Sequence, residues 1–252
     1  MASGVRTVNA TVELKPIAGS RYSGVIQEYH EVKAFLLAAR PASLRMIGQA
    51  PVIGTTVFDM ASDAETFKVS IPSKNKFLIG QMATERMSSK PIENLRPQHL
   101  LEALLWPEIR KEEPVVSEEF NDENARYYVL TVLRGVYRAE IVRKVWFDRA
   151  DLQVARLQSY GPKGALLSDV RVSDWQPLAG DSASGAVVSA TGGVAAFPRT
   201  IRIDRPHDDY RLDLLINKVA VNQDIPADRF KLEQPAGSEL VKVGDAAEDK
   251  PQ

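Results

Sequence analysis

Apolar and polar residues alternate along most of this chain. Near its start, apolar Val8, Ala10, Val12 and Leu14 are interleaved with polar Asn9, Thr11, Glu13 and Lys15. A period of two is typical of a strand with one buried and one wet side. Similar runs follow at 22–39, 44–47, 52–60, 65–71, 76–79, 115–120, 126–133, 138–147, 152–160, 166–175, 200–205 and 210–221. Short turns rich in Gly, Pro, Ser, Asn and Asp separate them, which predicts a meander of hairpins.

One segment has helical periodicity instead. Between Pro97 and Pro107, four leucines fall on one side of a helical wheel, namely Leu100, Leu101, Leu104 and Leu105. The opposite side carries Gln98, His99 and Glu102. This pattern predicts an amphipathic helix with one apolar face. An ordinary helix packed on a sheet explains it, and so does a helix that covers a ligand.

The order of these elements predicts a mainly β fold with few helices. About eleven strands without alternating helices favour one strongly bent antiparallel sheet. The run over 210–221 changes the parity of its apolar residues, which predicts a bulge or sharp bend near Asn217. If the concave face of such a sheet is apolar, a helix or a ligand has to cover it.

Length and composition favour a single domain over residues 1–243. The chain has 252 residues, 44% of them hydrophobic and 26% charged, which suffices for a sizeable core. Residues 178–196 are mostly Ala, Gly, Ser and Val and are expected to form a flexible excursion. The acidic tail, 244–252, is poor in apolar residues and is expected to be disordered.

Charge and cysteine content narrow the function classes. The net charge is -1 and basic residues are mixed with acidic ones, so no nucleic-acid surface is predicted. The chain has no cysteine, which excludes disulfides, thiolate metal sites and a cysteine nucleophile. No apolar run approaches the roughly 18 residues of a membrane span. The first residues contain no apolar signal core, so we expect that a signal segment has been removed.

Enzyme motifs are not found in the sequence. There is no Gly-x-Ser-x-Gly elbow, P-loop or dinucleotide-binding glycine set. His30-Glu31 lies in a strand pattern without a second histidine at helical spacing, which disfavours a zinc protease. His207-Asp208-Asp209 offers metal-ligand residue types, although a hairpin turn is the simpler interpretation. We therefore predict no catalytic residue, no metal site and no cofactor.

Three separated segments resemble the bacterial LolA/LolB-like proteins. The run 35–45, Phe-Leu-Leu-Ala-Ala-Arg-Pro-Ala-Ser-Leu-Arg, is similar to their strand-Arg-Pro-strand element. Residues 63–67, Asp-Ala-Glu-Thr-Phe, resemble the Asp-Gly-x-x-Leu turn that follows, with Ala64 in place of glycine. Residues 225–232 and 234–237 are similar to the C-terminal Phe strand and Pro-x-Gly ending. In length the chain most resembles a divergent branch of predicted outer-membrane lipoproteins.

The resemblance implies a half-barrel whose concave apolar face, covered by helices, accepts acyl chains. It places the protein in the periplasm or at the outer membrane, with a lipid or an acylated lipoprotein as partner. Membrane association would come through a removed N-terminal segment, and the protein is expected to be a monomer. The family's first helix would precede Val5, and no lipobox cysteine indicates an anchor.

The same resemblance suggests binding residues. Arg40 occupies the place of an arginine that bonds backbone carbonyls of the lid, although a strand-end residue capping the turn before Pro41 explains it as well. The candidates for the apolar cavity or lid are Val8, Val12, Ile26, Phe35, Leu37, Phe58, Phe67, Leu100, Leu101, Leu104 and Leu105. The strand residues among them fit an ordinary core equally well.

Three function classes remain open. A carrier or receptor of lipid or lipoprotein predicts an elongated apolar cavity between sheet and helix. A structural or protein-interaction module predicts the same sheet with its concave face filled by side chains. A hydrolytic or metal-dependent enzyme predicts ionisable residues that converge in a cleft. The cargo of a carrier could be a lipoprotein, a phospholipid, a glycolipid or a polyisoprenoid.

Overall fold

The computed structural model describes residues 4–19, 27–28, 30–82, 96–123, 125–135, 137–178 and 196–243. The predicted flexible excursion, apart from Leu178 and Ala196, and the acidic tail lie outside the described residues, as does Ile26.

Fifteen strands and one α-helix form the described part of the chain. The strands of the first half are β1 (Thr7–Ala18), β2 (Gln27–Glu28), β3 (Val32–Ala39), β4 (Ser43–Gln49), β5 (Thr56–Ser62), β6 (Thr66–Ile71) and β7 (Lys76–Gln81). Helix α1 (Pro97–Leu104) follows. The remaining strands are β8 (Val115–Asn121), β9 (Arg126–Arg134), β10 (Glu140–Asp148), β11 (Val154–Tyr160), β12 (Leu166–Pro177), β13 (Ala196–Arg205), β14 (Tyr210–Val221) and β15 (Glu239–Val243).

The strands form one curved, unclosed sheet. Their order is β15-β7-β6-β5-β4-β3-β1-β14-β13-β12-β11-β10-β9-β8, and β2 pairs with β1. All pairs are antiparallel except β7 with β15, which is parallel. The mainly β, bent antiparallel prediction is confirmed, but about eleven strands is too few. The short β2 lies within a longer predicted run. Strand β15 lies where the alternation predicts no strand, and its partner β7 is distant in sequence.

Three local predictions have different outcomes. The register of β1 with β14 shifts between Thr11 and Val12, whose partners are Lys218 and Ile216. Asn217 is therefore the extra residue, as the change of parity predicts. The predicted strand over 52–60 begins only at Thr56, because residues 51–53 form a turn. The predicted Phe strand over 225–232 contains a 3-10 turn, Ala227–Phe230, instead.

The main core lies on the side of the sheet against which α1 packs, here called the helix-bearing face. The helix contacts β4, β5 and β13. Fully buried side chains of the central strands include Val8, Val12, Leu36, Leu44, Ile201 and Leu214. Burial of apolar surface at roughly 25 cal/mol per Å² makes this face the principal source of stability.

The opposite side of the sheet, here called the outer face, holds a smaller core. Ala61 and Phe77 pack there with Leu232, from the segment that follows β14. The Arg45 guanidinium donates to the Lys231 carbonyl, and Asn75 Nδ2 donates to the Gly237 carbonyl over 3.0 Å. The C-terminal segment thus crosses the outer face of β4 to β7 before β15 extends the sheet.

Candidate functional site

Helix α1 begins and ends where its prolines predict. Pro97 occupies the first turn, where no amide donor is needed, and the Leu105 amide donates to the Leu101 carbonyl over 2.7 Å at the other end. Leu100, Leu101, Leu104 and Leu105 are all buried in the main core. Ala103 is buried with them, so protein surrounds most of the circumference of the helix.

The strand residues that the sequence nominates fall into two groups. Val8 and Val12 have no exposed surface and lie in the main core. Phe58 is half-buried against the same core, and Phe67 is buried. Each ring packs over a glycine of the neighbouring strand. Phe58 covers Gly48, and a Cβ at Gly80 would lie 2.6 Å from the Phe67 ring.

The prediction chose the wrong side of β3. Val32, Ala34, Leu36 and Ala38 face the core, so Phe35 and Leu37 point to the outer face. Phe35 is 44% exposed and Lys33 lies over its ring. The run 32–39 is apolar at nearly every position, so alternation within it could not select the buried parity. These two residues do not join the helix-bearing face.

Arg40 links the C-terminal end of α1 to the start of the chain. Its Nη2 donates to the Trp106 carbonyl over 2.7 Å, and its Nε donates to the Val5 carbonyl over 3.0 Å. Trp106 Nε1 in turn donates to the Ala103 carbonyl of the helix, over 2.7 Å. A charged donor satisfies carbonyls that the end of a helix leaves free. One side chain at the end of β3 therefore holds two chain segments.

A polar cluster lies at the N-terminal end of α1, which sequence reasoning missed. His99 Nδ1 and the Tyr210 hydroxyl share a hydrogen bond, and both residues are buried. The wheel places His99 on the polar side, but it is buried because β14 supplies a polar partner there. The only sequence signal is that Tyr210 shares the parity of the core residues of β14.

Charged groups surround this pair. Arg205 Nε lies 2.6 Å from Asp208 Oδ2, and the Arg96 guanidinium stacks 4.8 Å from the centre of the Phe67 ring. Burial lowers the pKa of His99 well below its usual value, and Arg205 and Arg96 lower it further. Burial likewise raises the pKa of the Tyr210 hydroxyl. The histidine is therefore held neutral.

A narrow polar side of α1 faces a small cavity on the helix-bearing face of β10 to β12. Glu102 lines it with Pro107, and the sheet contributes two cross-strand rows. These rows are Val145, Leu157 and Val170, then Arg143, Ser159 and Ser168. The space open to the centre of a water molecule is about 20 Å³, room for about one water. Glu102 is solvent-exposed, yet surrounding protein raises the pKa of its carboxyl group.

The segment that resembles the family turn after β5 is a side-chain-capped turn. Asp63 Oδ1 accepts the amides of Thr66 over 2.7 Å and Glu65 over 2.9 Å. These hydrogen bonds from Thr66 and Glu65 lower the pKa of Asp63. The turn has no need of glycine at position 64, because no residue between Asp63 and Thr66 has a positive φ.

The other histidines do not converge on this site. His30 and His207 are exposed, and Asp208 is paired with Arg205. Within the described ranges, no group of three His, Cys, Asp or Glu residues could hold a metal ion. In the same part of the chain, no helix is both long enough and apolar enough to cross a membrane.

Comparison with known proteins gives structural neighbours only. No protein-family profile matches the chain, and no curated protein matches its sequence. A LolA superfamily protein from Nitrosomonas europaea superposes with a TM-score of 0.53 at 12% identity, covering 90% of each chain. A DUF1329 family protein from Desulfovibrio piger gives 0.55 at 11% identity, covering 91% of each chain.

A third neighbour is a domain named for outer membrane lipoprotein sorting, from Vibrio parahaemolyticus. Its TM-score is 0.52 at 11% identity, with 89% of each chain covered. Identities this low establish the shared architecture and leave the activity open. The resemblance to the LolA-like proteins is confirmed at the level of the fold, which this chain shares with these neighbours.

Proposed function

We propose that the protein binds the acyl chains of a lipid or a lipoprotein between α1 and the helix-bearing face, for transport to or reception at the outer membrane. The observation that carries this proposal is the apolar surface of the leucine-rich helix against a sheet that is not closed. The names of two structural neighbours support the same class of function. Such binding requires no catalytic residue, because each buried methylene contributes roughly 0.8 kcal/mol.

In the structure α1 rests directly on the core, so an acyl chain has to displace it. The two ends of the helix have different anchors. Arg40 bonds the carbonyl of Trp106 beyond one end, whereas His99 and Tyr210 meet at the other. We infer that α1 is the movable cover of the site and that Arg40 is its latch.

Photo-crosslinking tests the location of the site. A fatty acid carrying a diazirine at the end of its chain is added to the purified protein, irradiated, and mapped by mass spectrometry. We expect label on α1 and on helix-bearing residues such as Val12, with competition by unlabelled fatty acid. Peptides whose apolar residues face outward, such as Phe35, provide the internal control. Label confined to the outer face, or no competable label, contradicts the proposal.

Substitution of Arg40 tests the latch. Arg40→Gln removes the charged donor from two carbonyls, so α1 should detach from the core more often. Hydrogen exchange of the α1 amides should accelerate at least about tenfold, equivalent to about 1.4 kcal/mol, and an acyl probe should enter faster. Arg6→Gln, an exposed arginine in the adjoining segment, is the control. Equal exchange in both variants would leave Arg40 as a simple turn-capping residue.

The turn between β4 and β5 supports contact with a membrane during delivery. Val52 is 94% exposed and Ile53 is 76% exposed, next to Pro51 and Gly54. Apolar tips of this kind partition into a lipid interface. Replacing both residues by serine should reduce co-sedimentation with anionic lipid vesicles without changing the unfolding temperature. Unchanged co-sedimentation would argue against a role for this turn.

A structural or protein-interaction module is the second candidate. It is favoured by one observation, that side chains fill the helix-bearing face below α1, where Leu100 has no exposed surface. Under this alternative no fatty acid labels the protein, and native mass spectra of protein purified without detergent contain no bound lipid.

A further inference from the structure

The two ends of the sheet are formed by different sets of turns. The Tyr210 end is here the end at which β14 begins, and the Arg40 end is the one at which β3 finishes. Antiparallel pairing places the turns β4–β5, β6–β7, β9–β10, β11–β12 and β13–β14 at the Tyr210 end. The turns β3–β4, β5–β6, β8–β9 and β10–β11 lie at the Arg40 end.

Large apolar side chains are most exposed at the Tyr210 end. Among the residues that the structure describes, Tyr137 is 100% exposed, Val52 94% and Ile53 76%, more than any other large apolar side chain. Val52 and Ile53 occupy the β4–β5 turn and Tyr137 the β9–β10 turn, with β3, β1, β14, β13, β12 and β11 between them in the sheet. In the turns of the Arg40 end, Leu152 is 49% exposed. Two separate turns at one end of the sheet therefore present apolar side chains to the surroundings.

Hydrogen bonds and backbone geometry fix both turns. In the β4–β5 turn, the Gly54 amide donates to the Ala50 carbonyl over 3.0 Å, and the Ala50 amide donates to the Thr55 carbonyl over 2.9 Å. In the β9–β10 turn, Gly135 has a φ of +90°, and a Cβ there would lie 2.9 Å from the Arg138 carbonyl oxygen. Apolar side chains held outward on fixed turns add nothing to the core, which points to an external partner.

Charge also distinguishes the two ends. Lys74, Arg138 and Lys163 lie in the β6–β7, β9–β10 and β11–β12 turns, which contain no acidic residue, and all three are exposed. The β13–β14 turn is the exception, with Asp208 and Asp209, the first of which is already in an ion pair. At the Arg40 end, the β5–β6 and β8–β9 turns each contain two acidic residues and no basic one. The charge of the Tyr210 end therefore complements an anionic partner.

Exposed apolar and aromatic side chains next to basic residues are typical of surfaces that lie on anionic membranes. Tyrosine suits such a place, because its ring enters the interface while its hydroxyl stays hydrated. Given the proposed function, on which this inference rests, we propose that the Tyr210 end of the sheet docks on an anionic lipid surface. Both apolar turns enter the interface, and the three cations contact lipid phosphates.

Docking in this orientation determines which end of α1 approaches the membrane. His99 meets Tyr210 at the docked end, whereas Arg40 bonds the Trp106 carbonyl beyond the other end of the helix. The N-terminal end of α1 thus lies next to the lipid surface, and the Arg40 latch lies away from it. An acyl chain then passes between membrane and protein beside the N-terminal end of the helix.

Fluorophores at single sites test the orientation. The chain has no cysteine, so Tyr137→Cys and Leu152→Cys each provide one site for an environment-sensitive label. Vesicles of phosphatidylcholine with phosphatidylglycerol should shift the emission of the first label to the blue, and vesicles of phosphatidylcholine alone much less. The label at the Arg40 end should not respond. A blue shift of the second label without one of the first overturns the proposal.

Substitution of the cations tests the contribution of charge. The double variant Lys74→Gln/Lys163→Gln should partition onto the anionic vesicles about thirtyfold less, since each basic residue near such a surface contributes a factor of about five. Arg6→Gln/Arg126→Gln, which changes two exposed arginines at the Arg40 end, is the matched control. It should change the partition less than about twofold. Equal losses in the two double variants overturn the docked orientation.

Docking and the acyl site fail in different ways. If a fatty acid labels the protein but neither kind of vesicle binds it, the docking is overturned and the proposed function stands. If vesicles bind through the Tyr210 end but no fatty acid labels the protein, the proposed function fails and the docking surface remains. If the lipid-free protein is a dimer that Tyr137→Ser dissociates, this turn joins two copies of the chain and the docking is overturned.

Discussion

The two faces of the sheet are stabilised by different kinds of contact. On the helix-bearing face, buried aliphatic side chains such as Leu36 and Leu44 pack without exposed surface. On the outer face of neighbouring strands, Arg45 and Asp59 form a two-pronged ion pair with both distances 2.6 Å. The difference suits the proposed function, because a ligand can replace aliphatic contacts, whereas directed ion pairs would keep the strands in register if α1 is displaced.

The polar contacts of the outer face continue across the second half of the sheet. Arg156 donates to both oxygens of Asp169, each over 2.6 Å, and its guanidinium lies 5.4 Å from the centre of the Trp146 ring. Phe120 and Tyr127 pack edge-on against the same indole. Under the proposed function, the outer face is the fixed scaffold and the helix-bearing face is where the ligand exchanges.

Adjacent leucines on β3 give the largest expected contrast between the faces. Leu36→Ala removes a side chain with no exposed surface and should lower the free energy of unfolding by about 2–5 kcal/mol. Leu37→Ala, on the outer face, should cost less than half as much. Urea unfolding of both variants measures the difference. Equal losses would contradict the parity assigned to β3.

The next contrast concerns ion pairs of the outer face. Asp169→Asn removes the charge from a side chain that is 7% exposed and should cost about 1.5–3 kcal/mol, since Arg156 loses its charged partner. Glu140→Gln breaks the ion pair between Glu140 and Arg134. The Arg134 side chain is 67% exposed and the Glu140 side chain 47% exposed, so the loss of stability should be under about 0.5 kcal/mol. Thermal and urea unfolding compare them. Similarly small losses of stability in both variants would mean that the ion pairs of the outer face contribute little to the free energy of unfolding.

The effect expected to be smallest near neutral pH is a pH dependence that originates on the helix-bearing face. The pKa of buried His99 is lower in the folded protein than in the unfolded chain, so the unfolded chain binds more protons in acid. Stability should be complete above about pH 6.5 and decline below it, by at most about 1.4 kcal/mol per pH unit.

His99→Gln should flatten this decline, whereas His207→Gln, in an exposed turn, should leave it unchanged. Urea unfolding between neutral and mildly acidic pH measures both. A decline of the same slope in the His99 variant would assign it to other groups.

Much of the fold could be predicted because each signal is local. The alternation in β1, the prolines that bound α1 and the parity change at Asn217 act over a few residues. Of the candidate site, burial was predictable where the pattern is unambiguous, as for the leucines of α1. It was not predictable for Phe35 and Leu37, because both parities of β3 are apolar and only the neighbouring strands select one.

By itself the sequence determined the periodicity, the position of helix α1 and the apolar composition of its face, since these depend on neighbouring residues. Only the tertiary structure decided which contacts join distant segments. Tyr210 meets His99, Arg40 reaches Trp106, and β15 pairs with β7, each across a separation that no local pattern encodes. The surroundings of the polar side of α1 were also decided by the tertiary structure, because Glu102 faces a cavity only when β10 to β12 lie beneath it.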